Sequence, residues 1–276
     1  LDAEAVSALA AAANESLAGF EKDVLAPKGK TIRDSFDDTS GTTRPGSRVD
    51  VRHRAAEFVA QRLGTCEADL ADDEKGVGTR LLRDLLPLVK AALRTDRPRL
   101  LYFGFVRAFA GGTVDQPWHR DAASLFESSR GACDAPDTPP HVLNIFFPLV
   151  DLRTENGPTA FAPGTHSDGA CRDALATIIE TGDPARQTSP LLSRGDAVMF
   201  DCRLLHRGRA NRSSKDRVIA YLTVAAPWWR DDEMFHATPP TTAAALLGEA
   251  LLARTAVEDH DLSLIHISEP TRRDQI

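Results

Sequence analysis

The stretch "GDAVMFDCRLLHRGRANRSSKDR", residues 195–217, contains a β-rich run, a histidine just after it and an arginine eleven residues further on. That spacing allows a strand, a turn and a return, so His206 and Arg217 can lie side by side inside a barrel. A buried arginine needs an anionic partner, and its planar fork suits the far end of a dicarboxylate. Alternatively, Arg217 pairs with a surface acid such as Asp216 or Asp196, and this stretch alone does not decide.

From residue 99 onward, short β-rich runs alternate with turn residues, which is typical of a sandwich or barrel. The predicted strands cover residues 99–109, 141–150, 159–163, 196–201 and 217–226. The regular helical intervals of a parallel α/β sheet are absent. The first hundred residues are predicted to be mainly helical, with helices at 3–20, 54–63 and 79–94. Pro87 is expected to kink or divide the last of these helices.

We expect a single domain over residues 1–261. It comprises a helical part over about 1–98, a β core over about 99–231 and a closing helix at about 240–255. Residues 262–272, "LSLIHISEPTR", match the translation of a sequencing-library adapter, and we interpret 262–276 as non-native read-through. The chain does not begin with Met, so we also expect residues upstream of it.

The composition is that of a globular protein, with 42% hydrophobic and 26% charged residues. A formal net charge of −7 argues against nucleic-acid binding, and no apolar run is long enough to predict a membrane span. Four scattered cysteines without a CxxC pair, and no secretory signal, predict a reducing, cytoplasmic environment. The oligomeric state cannot be predicted from these features.

The segment "QPWHRD", residues 116–121, places an imidazole and a carboxylate two positions apart at a strand end. Residues at this spacing on a strand project from one face, so His119 and Asp121 can point at one metal ion. Taken alone, the pair is more often structural than metal-binding. A second His-x-Asp triplet, His166 to Asp168, falls in a loop rich in Pro and Gly, where a turn-capping role is the more usual one. An open iron site needs a third ligand, and His206 is the candidate.

Four blocks of the chain resemble the phytanoyl-CoA dioxygenase family of Fe(II)/2-oxoglutarate-dependent oxygenases, and they occur in the family's order. These blocks are "QPWHRD" (116–121), "ENGPTAFAPGTH" (155–166), "GDAVMFDCRLLHRGRANRS" (195–213) and the arginine that begins "RVIAYLTVAAPWWRD" (217–231). The resemblance implies a mainly β fold with flanking helices, namely a double-stranded β-helix of the jelly-roll or cupin type with a helical N-terminal region.

By this resemblance, His119, Asp121 and His206 match the Fe(II) ligands, and Arg217 matches the arginine that binds 2-oxoglutarate. Many members carry a serine two residues after the second histidine, in contact with the cosubstrate. Here Gly208 stands at that position, so we predict that another group, Asn144, contacts the cosubstrate instead.

The resemblance further implies a dioxygenase that consumes O2, is stimulated by ascorbate and converts 2-oxoglutarate to succinate and CO2. The partner is expected to be a small organic molecule, with no nucleic acid or membrane involved, and the presence of Asp121 favours hydroxylation over halogenation. Two alternatives stay open: a non-catalytic β-barrel binding protein of the same fold, and an iron oxygenase with a desaturase, cyclase or epimerase outcome.

Overall fold

The computed structural model describes residues 1–29, 48–54, 77–122, 125, 138–166 and 186–229. The helices are α1 (Ala3–Phe20) and α2 (Val77–Leu93), with short helical turns at Glu21–Leu25, Ala26–Lys28 and Thr154–Asn156. The strands are β1 (Arg48–Arg54), β2 (Arg99–Ala108), β3 (Val142–Pro148), β4 (Ala160–Phe161), β5 (Val198–Asp201), β6 (His206–Arg207) and β7 (Arg217–Ala225).

Five strands form one antiparallel sheet in the order β1-β2-β7-β3-β5, and β4 and β6 form a second antiparallel pair. The strand order does not follow the chain order, because β7 inserts between β2 and β3. The arrangement is a double-stranded β-helix, and the predicted fold class is therefore confirmed.

The outer face of the large sheet packs against the two helices. Side chains of α1 and α2 such as Leu9 and Leu81 join alternate residues of β2, β3 and β7 in one hydrophobic core. The sheet residues in this core are Phe103, Phe105, Leu143, Ile145, Phe147, Ala220, Leu222 and Val224. Because alternate strand residues project from opposite faces, the remaining residues of these strands point to the inner face.

Strand register fixes which side chains meet on the inner face. Arg48 of β1 lies opposite Ala108 of β2, which in turn lies opposite Arg217 of β7. These three residues form one row across β1, β2 and β7. Two further rows cross the same strands: Asp50–Val106–Ile219 and Arg52–Gly104–Tyr221. The inner face therefore carries charged and aromatic side chains, and these line a cavity.

Most elements predicted from the sequence within the described residues are confirmed, namely helices α1 and α2 and the five predicted strands. The expectation that Pro87 divides its helix is wrong, since α2 runs from Val77 to Leu93 without a break. Pro87 removes one helical hydrogen bond, but its neighbours Leu86 and Val89 are buried in the core, and this packing holds the helix together.

Strand β1 was not predicted from the sequence: within the N-terminal region, residues 48–54 form an edge strand of the large sheet. Of the predicted helix at 54–63 only Arg54 is described, as the last residue of β1. The predicted closing helix at about 240–255 lies outside the described residues, as do Asp168 and residues 262–276. Within the described ranges, no helix has both the length and the hydropathy that crossing a bilayer requires.

Candidate metal centre

His119, Asp121 and His206 converge in the cavity. One donor atom from each of the three side chains lies within 4.8 Å of the others. Nε2 of His206 is 3.3 Å from Oδ2 of Asp121, and Nε2 of His119 is 3.7 Å from Oδ1. The three residues that the sequence singled out are thus brought together, and their spacing suits one shared ion.

Each histidine is held so that its Nε2 faces the shared point. Nδ1 of His119 lies 2.9 Å from the carbonyl oxygen of Pro117, and Nδ1 of His206 lies 3.0 Å from that of Leu204. A carbonyl can only accept a hydrogen bond, so Nδ1 carries the proton and Nε2 of the neutral ring keeps its lone pair. Such hydrogen bonds behind the ring orient histidine ligands in metal sites.

Backbone pairing brings the two distant segments together. His119 and His206 exchange reciprocal backbone hydrogen bonds of 3.0 and 2.9 Å. The amide of Asp121 donates to the carbonyl oxygen of Cys202 at 2.9 Å, which adds a further backbone contact between the two segments. The His-x-Asp segment therefore pairs with the segment around β6, and side chains separated by more than eighty residues meet.

The electrostatics of the group favour a cation. Burial would raise the pKa of Asp121, but His206 and His119 outweigh it and lower that pKa to about 2. Burial opposes charge on His206 as well, yet Asp121 raises its pKa above the ordinary value. The pKa of His119 is lowered by burial and by His206. An ionised carboxylate beside two imidazoles is a donor set for a divalent metal ion.

Asn144 lies directly behind the carboxylate. Its Nδ2 donates to Oδ2 of Asp121 at 2.6 Å, and its Oδ1 accepts a hydrogen bond from Oγ1 of Thr223 at 2.5 Å. Asn144 also lines the cavity, so its predicted contact with a cosubstrate stays a prediction. The observed contacts fix the position of Asp121.

Arg217 is buried, with 1% of its surface exposed, and lines the same cavity. One Nη donates to the carbonyl oxygen of Asn156 at 3.3 Å, and Nε has no hydrogen-bond partner. The predicted alternative partners are engaged elsewhere: Asp216 accepts from the amide of Ala110, and Asp196 from that of Ser193. Among the described residues, Arg217 has no carboxylate partner.

The "NGP" turn supplies the carbonyl that contacts Arg217. Gly157 has a φ of 68°, a backbone conformation that favours glycine. A Cβ at this position would collide with the backbone carbonyl groups of Arg209 and Ala210. The glycine is thus required both by the turn and by the close approach of the segment that follows β6.

The sequence did not indicate a polar wall of the same cavity, formed by Asp50, Arg52 and Tyr221. The hydroxyl of Tyr221 donates to Asp50 at 2.8 Å, and Nε of Arg52 donates to the Tyr221 oxygen at 2.8 Å. Burial is the main cause that raises the pKa of Asp50 and of Tyr221. The alternation of charged and apolar residues in "RVDVRHR" was the available signal, but it is equally typical of a strand facing solvent.

His166 and the three tryptophans of the quoted blocks lie outside the group of candidate metal ligands. His166 is buried but is not part of the converging group within the described residues. Trp118 packs under the guanidinium of Arg207, 4.7 Å from its ring centroid. Trp229 lines the cavity, whereas Trp228 is 60% exposed.

The chain matches one protein family and several curated proteins. Residues 1–219 match the family described as phytanoyl-CoA dioxygenase (PhyH). An uncharacterised protein of Saccharomyces cerevisiae is 27% identical over 137 residues, covering 48% of this chain and 37% of that protein. The dioxygenase hkm4 of Aspergillus hancockii is 34% identical over 107 residues, covering 37% of this chain and 30% of hkm4. The chain thus spans about a third of the length of these curated relatives.

The fold is shared with a solved structure. The crystal structure of AviO1 from Streptomyces viridochromogenes superposes with a TM-score of 0.52 at 23% identity, covering 84% of this chain and 88% of AviO1. At this identity the likeness concerns the fold alone, and the match to residues 1–219 carries the family assignment. The chain belongs to the phytanoyl-CoA dioxygenase family.

Proposed function

We propose that this protein is an Fe(II)- and 2-oxoglutarate-dependent dioxygenase that hydroxylates a small organic molecule. The observation that carries the proposal is the convergence of His119, Asp121 and His206 in one cavity with Arg217. Family membership supports the same reaction class.

The residues fit the metal that the proposal requires. Two imidazoles and one carboxylate form the donor set of open non-haem iron sites, which keep positions for cosubstrate and oxygen. His119 and His206 would bind through Nε2, because their Nδ1 atoms are held by backbone carbonyls. Asp121 would bind through its carboxylate, with Asn144 as its hydrogen-bonding support.

Arg217 fits the far carboxylate of 2-oxoglutarate. Burial lowers the pKa of this guanidinium, and the nearby charge of Arg48 lowers it further. A buried cation without an anionic partner is costly, so an anionic ligand in the cavity stabilises it. A dicarboxylate bound in the cavity would pair one carboxylate with the metal ion and the other with Arg217.

Bound iron would supply the redox chemistry that couples decarboxylation of 2-oxoglutarate to succinate and CO2 with oxygenation of the substrate. The side chains of the cavity would bind and orient the cosubstrate and the substrate, and would exclude water from them. Asp50, Arg52 and Tyr221 form a hydrogen-bonded polar wall of the cavity, which suits a substrate that carries polar groups. Trp229 adds an apolar lining.

The experiment is a succinate-release assay with the purified protein, Fe(II), 2-oxoglutarate, ascorbate and oxygen, with and without a panel of small polar substrates. We expect oxygen-dependent release of succinate that His206→Ala abolishes. His53→Ala is the matched control, because His53 contacts Ser16 of α1 on the outer face of β1. Equal succinate release by wild type and His206→Ala would contradict the proposed site.

Iron uptake and the mass of the product, measured on the same samples, distinguish two other outcomes. A binding protein that keeps the fold without chemistry would take up no iron and release no succinate. An oxygenase with a different outcome would release succinate, but its product would lack the additional oxygen atom that mass spectrometry detects after hydroxylation.

A further inference from the structure

A second buried arginine, Arg48, lies in the cavity outside the set of residues predicted from the sequence. It begins β1, and only 2% of its surface is exposed. One Nη donates to the carbonyl oxygen of Gly208 at 3.2 Å. The side chain lines the same cavity as Arg217 and the metal-centre histidines. The cavity therefore contains two buried guanidinium groups.

Strand register places the two arginines on the same face. Arg48 and Arg217 both lie opposite Ala108, one from β1 and the other from β7. Two strand spacings separate their backbones by about 10 Å, a distance that two extended arginine side chains can close. Ala108, which lies between them in the sheet, has only a methyl group, so its side chain takes up little room between the two arginines.

Gly208 explains how Arg48 fits at this position. A Cβ at residue 208 would collide with an Nη of Arg48 and lie 2.7 Å from Oε1 of Gln116. Gly208 does not have the positive φ that favours glycine, so its backbone conformation does not require the residue. A side chain at 208 and the observed position of Arg48 exclude one another.

The charges define the ligand that suits this arrangement. Like charges repel in a buried setting, and Arg48 contributes to the lowered pKa of Arg217. An anion between the two guanidinium groups relieves the repulsion and accepts charge-assisted hydrogen bonds from both. A carboxylate has two oxygens, enough for one contact to each arginine.

Resting on the proposed function, we propose that Arg48 and Arg217 jointly bind the distal carboxylate of 2-oxoglutarate. Arg48 reaches it through the space that Gly208 leaves free. Arg48 is then a cosubstrate-binding residue contributed by the edge strand β1. Gly208 has no side chain that would block the Arg48 guanidinium.

The test measures the dissociation constant of 2-oxoglutarate by calorimetry on the full chain loaded with Mn(II), without oxygen. Arg48→Gln is expected to weaken binding about ten- to hundredfold, the range for losing one hydrogen bond to a charged group. Arg107→Gln is the matched control, because Arg107 is an arginine of β2 that bonds Asn14 outside the cavity. This control should leave the constant unchanged, and both variants should retain their affinity for Mn(II).

A second ligand isolates the distal carboxylate. 2-Oxopentanoate keeps the 2-oxo acid end but lacks the distal carboxylate, so Arg48→Gln should not weaken its binding. Equal weakening of both oxo acids, or no weakening of either, would overturn the role of Arg48. If the wild-type Mn(II) protein does not bind 2-oxoglutarate at all, the proposed function itself fails.

Gly208→Ala tests the same arrangement from the opposite side and does not depend on the folding of Arg48→Gln. In the wild-type background the added methyl group should displace Arg48 and weaken 2-oxoglutarate binding. In an Arg48→Ala background the same methyl group should cause a smaller loss, because its clash with Arg48 is then absent. Additive losses in the double variant would refute the steric pairing.

Discussion

Replacing Asn144 with alanine is predicted to weaken metal binding without touching a metal ligand. Asn144 donates to Asp121 at 2.6 Å, and Thr223 donates to Asn144 at 2.5 Å. Without the amide, Asp121 loses a hydrogen bond that fixes the orientation of its carboxylate. A hydrogen bond to a charged group contributes about 1.5–3 kcal/mol, which corresponds to roughly ten- to hundredfold in affinity.

The assay is a competition of Mn(II) or Fe(II) binding against a chromophoric chelator, without oxygen and at fixed pH. Thr223→Val is the matched control, since it removes the next hydrogen bond outward but keeps the contact between Asn144 and Asp121. Its effect on metal affinity should be smaller than that of Asn144→Ala. Thermal unfolding of the metal-free proteins checks that both variants are folded.

The same variant separates the two roles considered for Asn144. If it mainly supports Asp121, the loss appears in metal affinity, and 2-oxoglutarate binds normally once the metal is saturating. Unchanged metal affinity together with weakened 2-oxoglutarate binding would refute our reasoning and favour the cosubstrate contact.

Three further predictions follow from the site and its surroundings. Arg217→Gln should weaken 2-oxoglutarate binding at least about tenfold and leave Mn(II) affinity nearly unchanged, which calorimetry would show; unchanged cosubstrate affinity would contradict it. Asp121 raises the pKa of His206, and a histidine must be neutral to act as a metal ligand. If His206 is a ligand, chelator competition should show metal affinity falling on acidification from above the ordinary histidine pKa of about 6.5. A decline that begins only below that pKa would argue against this pairing. Gly157→Ala should lower the free energy of unfolding, measured with denaturant, by more than the roughly 1–3 kcal/mol that backbone strain alone costs. Gly111→Ala should lower it less, because Gly111 also has a positive φ but has open space around it; equal losses would refute the steric argument.

The candidate site residues could be selected from the sequence because each lies in a local pattern with a chemical meaning. His119 and Asp121 are two apart at a strand end, and His206 and Arg217 have a spacing that fits a strand and its return. The resemblance to a family linked these patterns into one site. Their actual convergence depends on backbone pairing between residues 119 and 206, which no local pattern encodes.

The polar wall was not predictable for a physical reason. In β1, Arg48, Asp50 and Arg52 alternate with apolar residues, as they would on a strand with one face in water. Here the charged face points into the cavity, and Val49 and Val51 pack near α1 and the outer core. Only the long-range pairing of β1 with β2 distinguishes these two cases.

The most direct test is a crystal structure of the protein grown without oxygen in Fe(II) and 2-oxoglutarate, with anomalous diffraction at the iron edge. We predict one iron peak bound by His119, Asp121 and His206, with the distal carboxylate of 2-oxoglutarate at Arg217. Iron held by other residues, or no iron at this position, would contradict the proposed centre.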